Sequence, residues 1–225
     1  MNDEIDVLPK LLQEVKNEFE LAYGESEIIR KAFATLEGKK ATYKTANEFA
    51  IEISEILSKA LGASISADKL PNGKMYYNIA QRLLMDVLGR NHELVSDYAS
   101  DVQKNLNDKA KIGLKVQVPK LNQDRIAGIV NRFSSEDNFE DVSWLLGEPI
   151  VNFTQSIIDD SIRKNAEFHA KTGMTPTISR HSTGRCCKWC DSLVGNYIYG
   201  EEPNNFYRRH QHCNCVIDYH PKNGK

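Results

Sequence analysis

Cysteine is missing from the first 185 residues of this 225-residue chain, and several other features are equally scarce. No apolar run exceeds a few residues, which excludes a membrane-spanning helix. Met1 to Pro9 has neither the basic nor the apolar stretch of a secretory leader, so the expected setting is a reducing one. Net charge is only −2. It is unevenly spread: from Ile178 onward the chain carries +3, and the remainder −5. An acidic body with a mildly basic tail argues against nucleic acid coating the whole chain. The body also lacks a glycine-rich phosphate loop, a serine nucleophile elbow and a His-Glu-x-x-His motif. A mean hydropathy of −0.50 and 27% charged residues are ordinary for a folded soluble chain.

What is present is concentrated. All five cysteines fall between Cys186 and Cys215, together with His210 and His212. Cys187 and Cys190 form a Cys-x-x-Cys pair, and His210, Cys213 and Cys215 follow after a hydrophilic excursion. Zinc takes four sulfur or nitrogen ligands in a tetrahedron, and a tight knuckle supplies two of them. The remaining two must come from the later segment, which the ion ties back to the knuckle. We expect Cys187 and Cys190 as the first pair. The second comes from among Cys213, Cys215 and His210, with the two cysteines preferred and His210 as substitute or supporting partner. Cys186 is the odd thiol, since neighbouring residues seldom reach one ion together. Two disulfides, or metal-free buried thiols, are the competing readings; the reducing setting favours metal. One structural Zn²⁺ per chain is expected, with no catalytic residue.

Hydrophobic periodicity predicts a mainly α-helical body over residues 1–173 and a small α+β zinc-binding module over 174–225. Helices are expected at Asp6–Tyr23, Glu25–Leu36 and Tyr43–Leu61, each ended by a glycine. A longer helical stretch runs from Met75 to about Ile112, with a break expected at Gly89, Arg90 and Asn91. Lys115–Pro119 reads as an extended linker and Gln123–Phe133 as a helix. Ser134 and Asp137 resemble a capping box that starts a further segment. Ile150 to about His169 forms the last helix, closed by Gly173 and Pro176. Beyond it, β-prone pieces appear at Thr177–Arg180, Asn196–Tyr199 and Val216–Tyr219. Leu70–Gly73 is a turn in which Asn72 and Gly73 favour positive φ.

Other residues have plainer readings. Trp189 is expected to seal the knuckle from water, and Tyr197, Tyr199, Phe206 and Tyr207 to form the module's small core. Arg185, Arg208 and Arg209 are the residues placed to meet an anion or nucleic acid. Asp159 with Asp160, and Glu136 with Asp137, read as solvated acidic pairs or caps. His92 and His169 read as partly exposed helix positions. A zinc-supported His-Asn-His nuclease is the main enzymatic alternative, but His210 and His212 lie too near Cys213 for its strand–loop–helix arrangement.

The tail resembles the C-terminal signature of minor head proteins of tailed bacteriophages, the Mu F-like head-morphogenesis family. The carrying residues are Ile178, Ser179 and Arg180; Cys187, Cys190, Leu193 and Gly195; Tyr197 and Tyr199; then His210, Cys213 and Cys215. The body is similar to versions from phages of Gram-positive hosts over Ala41–Asn47, Met75–Ala80, Leu121–Ile126 and Trp144–Pro149. His212 departs from the pattern, since many relatives carry asparagine or another polar residue there. The resemblance implies a virion component of the head, present in few copies and found in the host cytoplasm during assembly. Its implied partners are the portal or major capsid protein, packaged DNA and further copies of itself, with no membrane.

Overall fold

Tyr43, Ala46, Phe49, Ala50 and Ile53 are all shielded from solvent, and this stripe at three- and four-residue steps makes α3 the axis of the molecule. The computed structural model describes residues 6–183, 187–210, 212, 213 and 215–221. Among these, the chain is mainly helical: α1 (Leu8–Glu25), α2 (Glu27–Glu37), α3 (Tyr43–Ser64), α4 (Tyr77–Lys109), α5 (Gln123–Phe133), α6 (Glu148–Lys171) and one turn, α7 (Lys188–Asp191). Three short strands complete it: β1 (Thr177–His181), β2 (Gly195–Ile198) and β3 (Val216–His220). None of the described helices is long and apolar enough to cross a membrane.

Helices α1, α2, α4 and α6 all pack on α3. Phe49 and Tyr98 stack at the α2–α3–α4 junction with Phe33 edge-on to both, and the Tyr98 hydroxyl donates to the Ala32 carbonyl at 2.9 Å. Tyr43 caps a buried polar chain. Its hydroxyl donates to Gln103, 2.7 Å away; Gln103 donates to Asn107 at 2.8 Å, and Asn107 to the Leu114 carbonyl at 3.2 Å. Buried amides matched in this way avoid the penalty of unpaired polar groups.

Several predicted boundaries shift. Gly62 does not end α3, which runs on to Ser64, and Gly89 does not break α4. A glycine inside a helix costs about 1 kcal/mol, which the burial of Leu61, Val87 and Leu88 beside these glycines outweighs. Asn91 also anchors the middle of α4 by a hydrogen bond to Thr154 on α6. Ser134 ends α5 instead of starting a helix, its N–H donating back to the Val130 carbonyl at 3.1 Å. The segment after it forms two 3₁₀ turns, Phe139–Asp141 and Ser143–Leu146. Residues 115–119 belong to no helix or strand, and Gln117 exchanges two hydrogen bonds of 2.9 Å with Asn165 of α6.

The sheet is antiparallel in the order β2-β1-β3. Strand β3 lies against α3 and α6, and Ile178, Phe206, Ile217 and Tyr219 join the same apolar core as the helices. Tyr219 meets Tyr43 edge-on at 6.3 Å and hydrogen-bonds to Nδ1 of His169. The C-terminal segment therefore shares the helical core instead of building one alone. Tyr197, Tyr199 and Tyr207, expected with Phe206 to form a separate small core, instead lie partly buried against this shared one, because β3 brings the segment onto the helices.

His169 is fully buried, contrary to its expected partial exposure, because β3 covers that face of α6. Burial pushes its imidazole below the usual value near 6.5, and His92 shifts in the same direction for the same cause. The unfolded chain then takes up protons at a higher pH than the folded one. Stability is fully present above about pH 7 and falls as pH drops through the unfolded value. Urea midpoints should decline between pH 7 and 5, and His169→Gln should flatten part of that decline; an unchanged slope would show that His169 is not held neutral.

Candidate metal centre

Cys187 caps the single turn α7, its sulfur accepting from the Cys190 N–H at 3.4 Å while its carbonyl accepts from Asp191 at 2.9 Å. This compact turn directs both knuckle sulfurs to one side. The later segment returns after β2, which opens at Gly195; a Cβ there would lie 2.7 Å from the Tyr197 hydroxyl, so a larger residue would displace that ring. His212 adopts a positive φ of 57°, which turns the chain between His210 and Cys213. The two segments thereby meet.

Two groups of donor atoms result, Cys187 with Cys190 and His210, and Cys190 with Cys213 and Cys215. Within each group the atoms lie within 4.8 Å of one another, and either could hold a metal ion. Nε2 of His210 lies 2.9 Å from the Cys190 sulfur and 3.4 Å from that of Cys187. The sulfurs of Cys190 and Cys213 are 3.8 Å apart. No disulfide joins the four described cysteines. All five predicted ligand positions are thus brought together, with the Cys190 sulfur common to both groups. Cys186 lies outside the described residues, as does Arg185.

The proton balance of the thiols follows their surroundings. The Cys190 N–H lowers the pKa of exposed Cys187. Burial raises Cys190 and Cys215. For Cys213, burial is outweighed by the Cys215 N–H and the charge of Arg209, so its pKa falls. Trp189 covers only part of the knuckle, its ring 5.7 Å from that of His210 and still 38% exposed.

Arg209 is not the exposed anion contact expected from the sequence. Its side chain is 3% exposed and pairs with Asp159 through bonds of 2.6 and 2.8 Å. It also donates to the Cys215 carbonyl at 2.8 Å and to Asn47 at 3.3 Å. Asp159 is likewise buried, not solvated, because the cysteine segment lies over it. Arg208 is exposed, as expected.

One face of α6 receives this segment. Glu148 accepts from the His212 N–H at 3.0 Å and pairs with its ring at 2.8 Å; Gln155 donates to the Cys213 carbonyl at 3.4 Å. Glu148, Gln155 and Asp159 recur at steps of seven and four, so a polar stripe at helical spacing was present in the sequence beside the apolar one. Arg180, part of the tail signature but given no role from the sequence, is buried beside the Cys190 and Cys213 sulfurs. Its signal was a lone charge within a β-prone run.

Compared with known proteins, the chain matches no family model, no curated protein and no solved structure.

Removing one member of a buried ion pair leaves the other charge uncompensated, typically at a cost of about 3–5 kcal/mol. Asp159→Ala should therefore lower unfolding free energy by about that amount in a urea titration. A loss under about 1 kcal/mol would mean that the pair is solvated like a surface bridge.

Proposed function

We propose that the knuckle and the later segment share one structural Zn²⁺, and that the chain is a minor head protein of a tailed bacteriophage. The observation carrying the zinc reading is that the knuckle meets the later segment twice: the Cys187 and Cys190 sulfurs lie with His210, and the Cys190 sulfur lies with those of Cys213 and Cys215. Metal–sulfur bonds of about 2.3 Å in a tetrahedron put sulfurs about 3.8 Å apart. The 3.8 Å between Cys190 and Cys213 fits that spacing. Cys187 and Cys190 would supply two ligands, and two of His210, Cys213 and Cys215 the others. Four protein ligands leave no coordination position open for substrate, so the ion would fix the segment's shape.

The assembly reading rests on the family resemblance of the motifs, and the surface is compatible with it. Leu21, Ile28, Phe33 and Trp144 are large apolar side chains left 39–62% exposed on the helical body. A cleft of about 480 Å³ runs between α1 and α4, with Leu12, Val15, Phe19 and Leu94 in its walls. Such faces suit partner helices of a portal or capsid. Nucleic-acid contact by the tail is the weaker reading, since Arg209 is committed to Asp159.

Elemental analysis of purified protein should find one zinc per chain, lost in Cys190→Ser. Cross-linking in assembled heads should join the chain to the portal or major capsid protein. Metal-free protein with an intact, protease-resistant C-terminal segment would defeat the zinc reading; absence of the chain from purified heads would defeat the assembly reading.

A further inference from the structure

Arg180 is the bulkiest of the fully buried side chains, 1% exposed in the central strand β1. Side chains two apart on a strand share a face, and Ile178 on that face is completely buried in the core. An arginine at this depth needs negative charge beside it, because burying an uncompensated cation is costly.

Its contacts identify where that charge lies. Nη1 donates to the carbonyls of Phe206 and Arg208, the latter at 3.0 Å. Nη2 lies 3.7 Å from the Cys190 sulfur and 3.6 Å from that of Cys213. The Trp189 ring is 5.8 Å from the guanidinium carbon. Among the described residues no carboxylate pairs with Arg180, and Asp159 is held by Arg209. Carbonyls are neutral, so the sulfurs are the partners able to carry negative charge. A thiol is a weak acceptor, whereas acceptors bearing charge form much stronger hydrogen bonds.

Resting on the zinc reading above, we infer that Arg180 is a positioning residue of the metal centre. Its planar fork spans Cys190 of the knuckle and Cys213 of the later segment, holding one sulfur from each half of the ligand pattern. The same guanidinium grips the backbone at 206 and 208, so it fixes the path leading into His210. A divalent ion with three thiolates and an imidazole carries one net negative charge, and with four thiolates two. Arg180 offsets one of these inside the protein. Lysine would supply the charge, but as a single point it cannot bridge two sulfurs and two carbonyls together.

The test uses the full chain, stripped of metal and titrated with Co²⁺, which is then displaced by Zn²⁺ in the presence of a competing chelator. Arg180→Met should bind metal about 10–100-fold more weakly than the wild type. Its sulfur-to-cobalt charge-transfer band should also shift, a change that general loosening of the fold would not produce. Arg180→Lys should fall between the two, and it decides the question if the methionine variant does not fold. Wild-type protein that takes up no Co²⁺ would remove the zinc reading and this inference with it. Wild-type protein that binds one ion, with affinity and band position unchanged in both variants, would overturn the role of Arg180 alone.

Discussion

The ion pair between Arg209 and Asp159 is the constraint on which the C-terminal half depends. One guanidinium reaches Asp159 on α6, Asn47 on α3 and the Cys215 carbonyl on its own segment. It thus connects the two most buried helices to the backbone that carries the later cysteines. At 3% exposure on both side chains, the pair works in a low-dielectric setting where its geometry is tightly held. Glu148 and Gln155 extend the attachment along the same face of α6.

This arrangement limits what a metal ion would have to do at the Cys/His cluster. A small segment with few apolar residues usually needs a staple to fold. Here β3 already lies in the helical core through Ile217 and Tyr219, and Arg209 fixes the approach to Cys213. What the core leaves undefined is the knuckle, which touches the later segment through the sulfurs, His210 and Arg180. An ion at that junction would complete the closure of a segment that is otherwise docked. The two buried arginines divide the work: Arg209 holds the segment to the body, and Arg180 faces the sulfurs.

Much of this was legible in the sequence. The periodic apolar stripes located every long helix, and the turn at Asn72 and Gly73 has the expected positive φ of 54° and 69°. The cysteine spacing located the donor cluster, because tetrahedral coordination permits few patterns. Gly62 and Gly89 misled, since a lone glycine reads as a stop while burial of its neighbours decides otherwise. Arg209, Asp159 and His169 misled for a related reason. Charged and polar residues read as solvated until a second segment covers them; Arg209 meets Asp159, and Tyr219 meets His169, across 50 positions each. Arg180 was hidden by the same convention.

The helical body receives a cysteine-rich segment along α6, and the Cys/His cluster where the knuckle meets that segment could hold a metal ion. Hydrogen exchange followed by mass spectrometry, with and without a chelator, tests this most directly. Removing the metal should accelerate exchange across 187–195 and 206–215 while α3 and α6 keep their protection. Exchange in those two stretches that is the same with and without metal would contradict it.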